Sequence, residues 1–157
     1  MGNTELYVQR LLQSLSICHS SQLNIETISR KSNIKVRYWE YSSESVHWKG
    51  NKVIFLNENL TDKQQWQEFG HELCHTLWHA GRQEQISESL CKYQEWQADH
   101  FMYHLCIPTF MIMKLKEVTA HDVMDLFNVE FNFALRRLDM LQSKTIERVA
   151  ENARTYS

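Results

Sequence analysis

The chain has 157 residues, of which 43% are hydrophobic and 23% charged. That is globular composition, and the length suits one domain burying about 70% of its unfolded surface. Seventeen Lys and Arg face 19 Asp and Glu, a net charge of -2, which gives no electrostatic case for a nucleic-acid partner. One Pro and four Gly favour long helices over a loop-rich or fibrous chain. The longest nearly apolar run, Leu105 to Met113, is interrupted by Pro108 and falls well short of the ~18 residues of a membrane span. The start, Met1-Gly2-Asn3-Thr4-Glu5-Leu6, lacks a basic n-region and an apolar core, and Leu6 breaks the myristoylation pattern. Cys18, Cys74, Cys91 and Cys106 make no C-x-x-C pair and read as reduced thiols in a cytoplasm.

In chain order, apolar residues at Tyr7, Leu11 and Leu15, with Val8 and Leu12 beside them, predict a helix from Thr4 to about Leu15. Asn24 is placed to cap a short helix from Ile25 to Ser32. Lys35 to Tyr41, Ser45 to Trp48 and Lys52 to Leu56 are rich in Val, Ile and aromatics. With Gly50-Asn51 as a turn, they predict a small antiparallel sheet. Thr61 then caps a long helix to about Ala80, and Gly81 stops it before a break that runs to Ser87. A second long helix runs from Ser87 or Glu88 to about Cys106, ended by Pro108. Thr119-x-x-Asp122 resembles a capping box and opens a short helix to Phe127. Two further helices, Phe131 to Leu141 and Thr145 to Ala153, complete the reading of residues 1–157 as one α+β domain.

His71-Glu72-Leu73-Cys74-His75 is an H-E-x-x-H string within the first long helix. Residues i and i+4 of a helix lie about 40° apart around it and about 6 Å along it, so both imidazoles can converge on one ion. Glu72 then points to one side, where it can serve a water without ligating the metal. Trp66, Phe69, Leu73 and Leu77 form one apolar face, and His71 and His75 sit nearly opposite. Zinc with two His needs a third protein ligand, and Glu95 on the next helix supplies a carboxylate. Asp99, one turn further on the same face, is placed to accept a ring N–H from a ligating His. The blander alternatives are a solvated face carrying two histidines and a pair of exposed helix acids. His79 extends the ladder, but about 12 Å separates it from His71 on a straight helix, so it supports or packs instead of ligating. Trp78 and Gly81 stand where a metzincin needs Gly and His, which excludes that class.

H-E-x-x-H followed by E-x-x-x-D resembles a gluzincin metallopeptidase. The longer string is more specific: Phe69-Gly70-His71-Glu72-Leu73-Cys74-His75-Thr76-Leu77-Trp78-His79, Glu95-x-x-Ala98-Asp99-x-Phe101 and Leu105-x-Ile107-Pro108. With Val53 to Asn57 upstream and Phe127-x-Val129 and Arg137-Leu138-x-x-Leu141 downstream, it resembles the ImmA/IrrE family over roughly residues 24 to 142. That resemblance implies a small sheet on a zincin-like helical core and a cytoplasmic zinc-dependent endopeptidase. It implies a phage or mobile-element setting, or a stress regulon, in which a helix-turn-helix repressor is the protein cut. By position it makes His71, His75 and Glu95 the ligands of one Zn²⁺ and Glu72 the catalytic base. Cys74 stands where the family usually has Gly, Asp99 where Asn is common, and Glu130 where Ser usually begins the downstream helix.

The alternative function is a zinc-stabilised module that sequesters a repressor or other partner without cutting it, with no direct nucleic-acid or membrane contact. Only Glu72 separates the two, because a binder has no use for a general base. Tyr103, His100, His104 and His121 are oxyanion-donor candidates by residue type and stay unassigned, while Trp66, Trp78, Trp96 and Phe101 read as core. An extended substrate is expected to add to an edge of the Lys35 to Leu56 sheet.

Overall fold

A computed structural model describes residues 2–79 and 86–155. The fold is α+β. Helix α1 (Asn3–Ser14) leads through a short 3-10 turn (Ser20–Gln22) to α2 (Ile25–Lys31). Strands β1 (Lys35–Trp39), β2 (Glu44–Trp48) and β3 (Asn51–Asn57) follow. Then come α3 (Asp62–Trp78), α4 (Glu88–Cys106), α5 (Thr109–Ile112), α6 (Ala120–Phe127) and α7 (Phe131–Thr155). The sequence-predicted caps are made: Asn24 accepts from the Thr27 N–H, Thr61 from Gln64 and Thr119 from Asp122; Ser87, at the expected start of α4, likewise accepts from Leu90. The predicted helix stop at Gly81 lies outside the described residues.

The sheet is mixed where an antiparallel one was expected. Its order is β1-β3-β2, with β1 parallel to β3 (Lys35↔Val53 to Trp39↔Asn57) and β2 antiparallel to it. The cause is a tight hairpin. Lys49 and Gly50 both take positive φ (46° and 76°), a two-residue turn that pairs Trp48 with Asn51. With β2 held on one side of β3, β1 takes the other. Residues 40–43 cross the end of β3, where the Ser43 hydroxyl accepts from the Asn57 N–H at 3.0 Å. The turn therefore sits one residue earlier than Gly50-Asn51.

Three further differences have plain causes. Residues expected to form two C-terminal helices form one, α7, because no Pro or Gly between Leu141 and Thr145 interrupts it. Lys144 in that stretch is instead tied to Glu5 of α1 at 2.5 Å. Helix α5 and the 3-10 turn are too short to carry a periodic signal. Trp96 is 59% exposed, not core, and stacks along the outside of α4 between Tyr93 and His100.

The inner face of the sheet, Ile54 and Leu56, packs on α3, whose Trp66, Phe69 and Leu73 meet Ala98, Phe101 and Leu105 of α4 in one fully buried core. Gly70 sets the spacing of these two helices. A Cβ there would stand 3.4 Å from Cys106 Sγ and from Met102 Cα and Cγ, so a larger side chain would push α4 away. Two polar ties close the far side. Glu130, ahead of α7, accepts from the Gln64 and Gln67 side chains (3.0 Å each), and its N–H donates to Gln67 Oε1 at 2.8 Å. Fully buried Arg137 donates to Ile107 O (3.1 Å), Thr109 Oγ1 (2.7 Å) and His104 Nδ1 (3.1 Å).

Burial, and then the Arg137 guanidinium, hold His104 down to about 3. The native ring stays neutral while an unfolded one protonates near 6.5, so the unfolded state binds the extra proton in that window. Stability is therefore full above pH 6.5 and falls as pH drops toward 3, by about 1.4 kcal/mol per pH unit from this group. His104→Asn, which keeps an acceptor for Arg137, is expected to flatten the pH dependence of the urea midpoint between pH 6 and 4. An undiminished slope would contradict the assignment.

Candidate metal centre

Helix phase carries His71 and His75 to the side of α3 that faces α4, and the close approach at Gly70 brings Glu95 and Asp99 to meet them. His71 Nε2 and His75 Nε2 are 3.1 Å apart. The Glu95 carboxylate completes the triangle, with Oε2 3.2 Å from His71 Nε2 and Oε1 3.4 Å from His75 Nε2. Four ligands at about 2.05 Å from a tetrahedral ion stand about 3.3 Å from one another, so these spacings match three corners of a zinc coordination shell. Among the described residues, this is the cluster of at least three His, Cys, Asp or Glu side chains that could hold a metal ion. The donor set, two imidazoles and one carboxylate, is also the open catalytic type, which leaves a fourth position for solvent.

The surroundings prepare these donors. Burial, and then the neighbouring His71 ring, push His75 well below the ordinary histidine range, so it is held neutral, the form that binds metal. Asp99 Oδ1 lies 2.9 Å from His71 Nδ1, as the helix spacing predicts. Its carboxylate can only accept from that ring, which leaves Nε2 free to coordinate.

Glu72 is buried beside the triangle at 9% exposure. Burial first, then the charges of Glu95 and Glu68, raise its carboxyl to about 8, while a hydrogen bond with Ser45 of β2 pulls the other way. A dication held by the adjacent triangle would favour the ionised form of this carboxyl, the form a general base needs. Ser45 of β2 is a neighbour of this carboxyl that the sequence did not single out, because a serine in a strand carries no periodic signal.

Cys74 does not join the cluster. It is fully buried, and burial, with a smaller push from Glu95, raises its thiol to about 12, so it packs in the core as a small apolar side chain. The oxyanion candidates also separate. His104 is bound to Arg137, His121 packs on Phe131 and His100 lies between Trp96 and His104. Tyr103 stacks on Phe133, and burial raises its phenol.

Known proteins share this arrangement of sequence and fold. Residues 21–139 match the family model for the IrrE N-terminal-like domain, peptidase family M78. The chain belongs to this family. It is 34% identical over 149 residues to the phage-like element PBSX protein XkdA of Bacillus subtilis (strain 168), covering 92% of this chain and 75% of that one. It is 28% identical over 148 residues to the uncharacterized protein YqaB of the same organism, covering 91% and 86%. Among solved structures, a Mycobacterium tuberculosis transcriptional regulator superposes with a TM-score of 0.63 over 88% of this chain at 15% identity, a likeness of fold alone. The chain spans about half of that regulator, 47% of its length. No helix among the described residues is long and apolar enough to cross a membrane.

Zinc added to chelator-treated protein is expected to raise the Tm, by about 4 kcal/mol of stabilisation at a thousandfold excess over Kd. His75→Ala should abolish the rise. A wild-type melting curve indifferent to zinc would count against the centre.

Proposed function

We propose that this chain is a zinc-dependent endopeptidase in which His71, His75 and Glu95 hold one ion and Glu72 is the catalytic base. The observation that carries the reading is the buried Glu72 carboxyl next to a zinc-sized triangle of donors, in a member of a peptidase family. Bound zinc would supply Lewis acidity at the scissile carbonyl and lower the pKa of water at the open position. Glu72, ionised beside the cation, would take the proton of the attacking water and pass it to the leaving amine. Asp99 orients His71 from behind. Strand β2 packs on α3, with Ser45 near the Glu72 carboxyl. Because β2 is an edge strand, an extended substrate can pair along it and present a peptide bond to Glu72.

The substrate proposed is a helix-turn-helix repressor of a phage or other mobile element, cut in the cytoplasm. Support comes from the family resemblance and from the phage-like element named in the XkdA relative. The four cysteines, all free, suit a reducing compartment. The second reading, a zinc-held module that sequesters a repressor without cleaving it, shares the ligands and leaves Glu72 without a role.

The deciding experiment incubates the purified chain, with and without chelator, with the helix-turn-helix protein encoded beside it. Cleavage is expected only with zinc present. Glu72→Gln should retain the metal and the partner while losing cleavage by 10²-fold or more, and a proline replacing an outward-facing β2 residue should raise KM. If Glu72→Gln relieves repression as well as the wild type does, the sequestering reading takes its place.

A further inference from the structure

The two histidines of the triangle are backed differently. His71 leans on an anion, Asp99, whereas the second nitrogen of His75 meets another imidazole: His75 Nδ1 and His79 Nδ1 are 3.0 Å apart. The far nitrogen of that ring, His79 Nε2, lies 3.1 Å from Gln97 Oε1 on α4. His79 reaches this position because α3 ends there. Its backbone has left helical geometry (φ -115°, ψ 54°) while its N–H still donates to His75 O at 3.0 Å, and the two rings meet at 57° with centroids 5.0 Å apart.

Proton counting leaves one arrangement. When His75 Nε2 offers its lone pair to an ion, its hydrogen sits on Nδ1, which then only donates. His79 Nδ1 must therefore accept, which places the His79 hydrogen on Nε2, and that N–H needs an acceptor. The carbonyl oxygen of Gln97 is one. With the amide reversed, Gln97 would donate to His79 Nε2, and two N–H groups would confront each other between the rings. Gln97 thus selects the His79 tautomer, and His79 selects that of His75.

Resting on the metal-centre reading above, we propose that His79 and Gln97 are positioning residues. They form an uncharged relay that fixes the tautomer and ring orientation of His75, as Asp99 does for His71. Neither touches the ion or the substrate. The relay orients a ligand without bringing another carboxylate close to Glu95 and Glu72. It also gives His79 a place in the centre, although it is too far along the helix to ligate.

The test measures zinc affinity by competition with a chromophoric chelator, and ring-nitrogen NMR of the zinc-loaded protein. His79→Leu is expected to weaken zinc binding 10–100-fold and to broaden or shift the His75 Nδ1–H signal. His79→Asn places an acceptor close to the lost Nδ1 and should restore affinity near that of the wild type. Gln97→Met, a half-exposed position on α4 that leaves the core untouched, should change the His79 tautomer and weaken binding while circular dichroism is unchanged. The proposal is overturned if His79→Leu binds zinc as tightly as the wild type, if the Leu and Asn variants are weakened equally, or if Gln97→Met leaves the ring signals unmoved. A wild-type chain that takes up no zinc would instead remove the metal-centre reading itself, and this one with it.

Discussion

The distance between α3 and α4 governs everything at this site. A helix alone can direct two imidazoles to one point, but the third donor has to arrive from elsewhere at ångström tolerance. Gly70, one residue before His71, lies where the helices come close: an added Cβ would just reach contact, at 3.4 Å, with the Met102 backbone and Cys106, so the position has room for little more. Phe69 and Leu73 of α3 and Ala98, Phe101 and Leu105 of α4 share the buried core that joins the two helices. Such burial is worth roughly 1.5–3 kcal/mol per large side chain.

Holding donors this way has an electrostatic cost. Burial of Glu72, and then the charges of Glu95 and Glu68 beside it, raise its carboxyl to about 8. The same desolvation keeps His75 neutral. A dication answers both conditions, since it attracts the carboxylates and binds the neutral ring. Elsewhere the molecule gives its buried charges polar partners. Arg137 is bound by His104, Thr109 and Ile107, and Glu5 meets Lys144. In the His–His–Glu triangle three groups able to coordinate converge on one point, an arrangement that suits a binding centre better than a structural ion pair.

Much of this was legible in the sequence, for a physical reason. His71, His75, Glu95 and Asp99 are related by single-turn spacings on two helices, and single-turn spacing fixes direction whatever the tertiary detail. Three of the helices were marked by Asn24, Thr61 and Thr119, each a residue whose side chain does the capping. Other features depend on what chain neighbours do not record. The strand order follows from the Lys49-Gly50 turn and the crossing at Ser43, and alternation in β1 reads the same on either side of β3. The role of His79 rests on its leaving the helix at its last residue and on Gln97 arriving from α4. Trp96 is apolar by composition, yet it stands on the outer surface of α4 beside Tyr93 and His100. The long α7 needed only the absence of a breaker between Leu141 and Thr145, and a polar stretch of Gln142, Ser143 and Lys144 imitates a break.

The central claim, that two imidazoles and one carboxylate from neighbouring helices form an open zinc centre, is tested most directly by X-ray absorption at the zinc edge on the loaded protein. The account predicts nitrogen and oxygen scatterers alone at about 2.0–2.1 Å, with the outer-ring signature of two histidines. It predicts that Glu95→Ala removes one of the oxygen neighbours. A sulfur shell at about 2.3 Å, which would enlist Cys74, or a spectrum unchanged by Glu95→Ala, would contradict it.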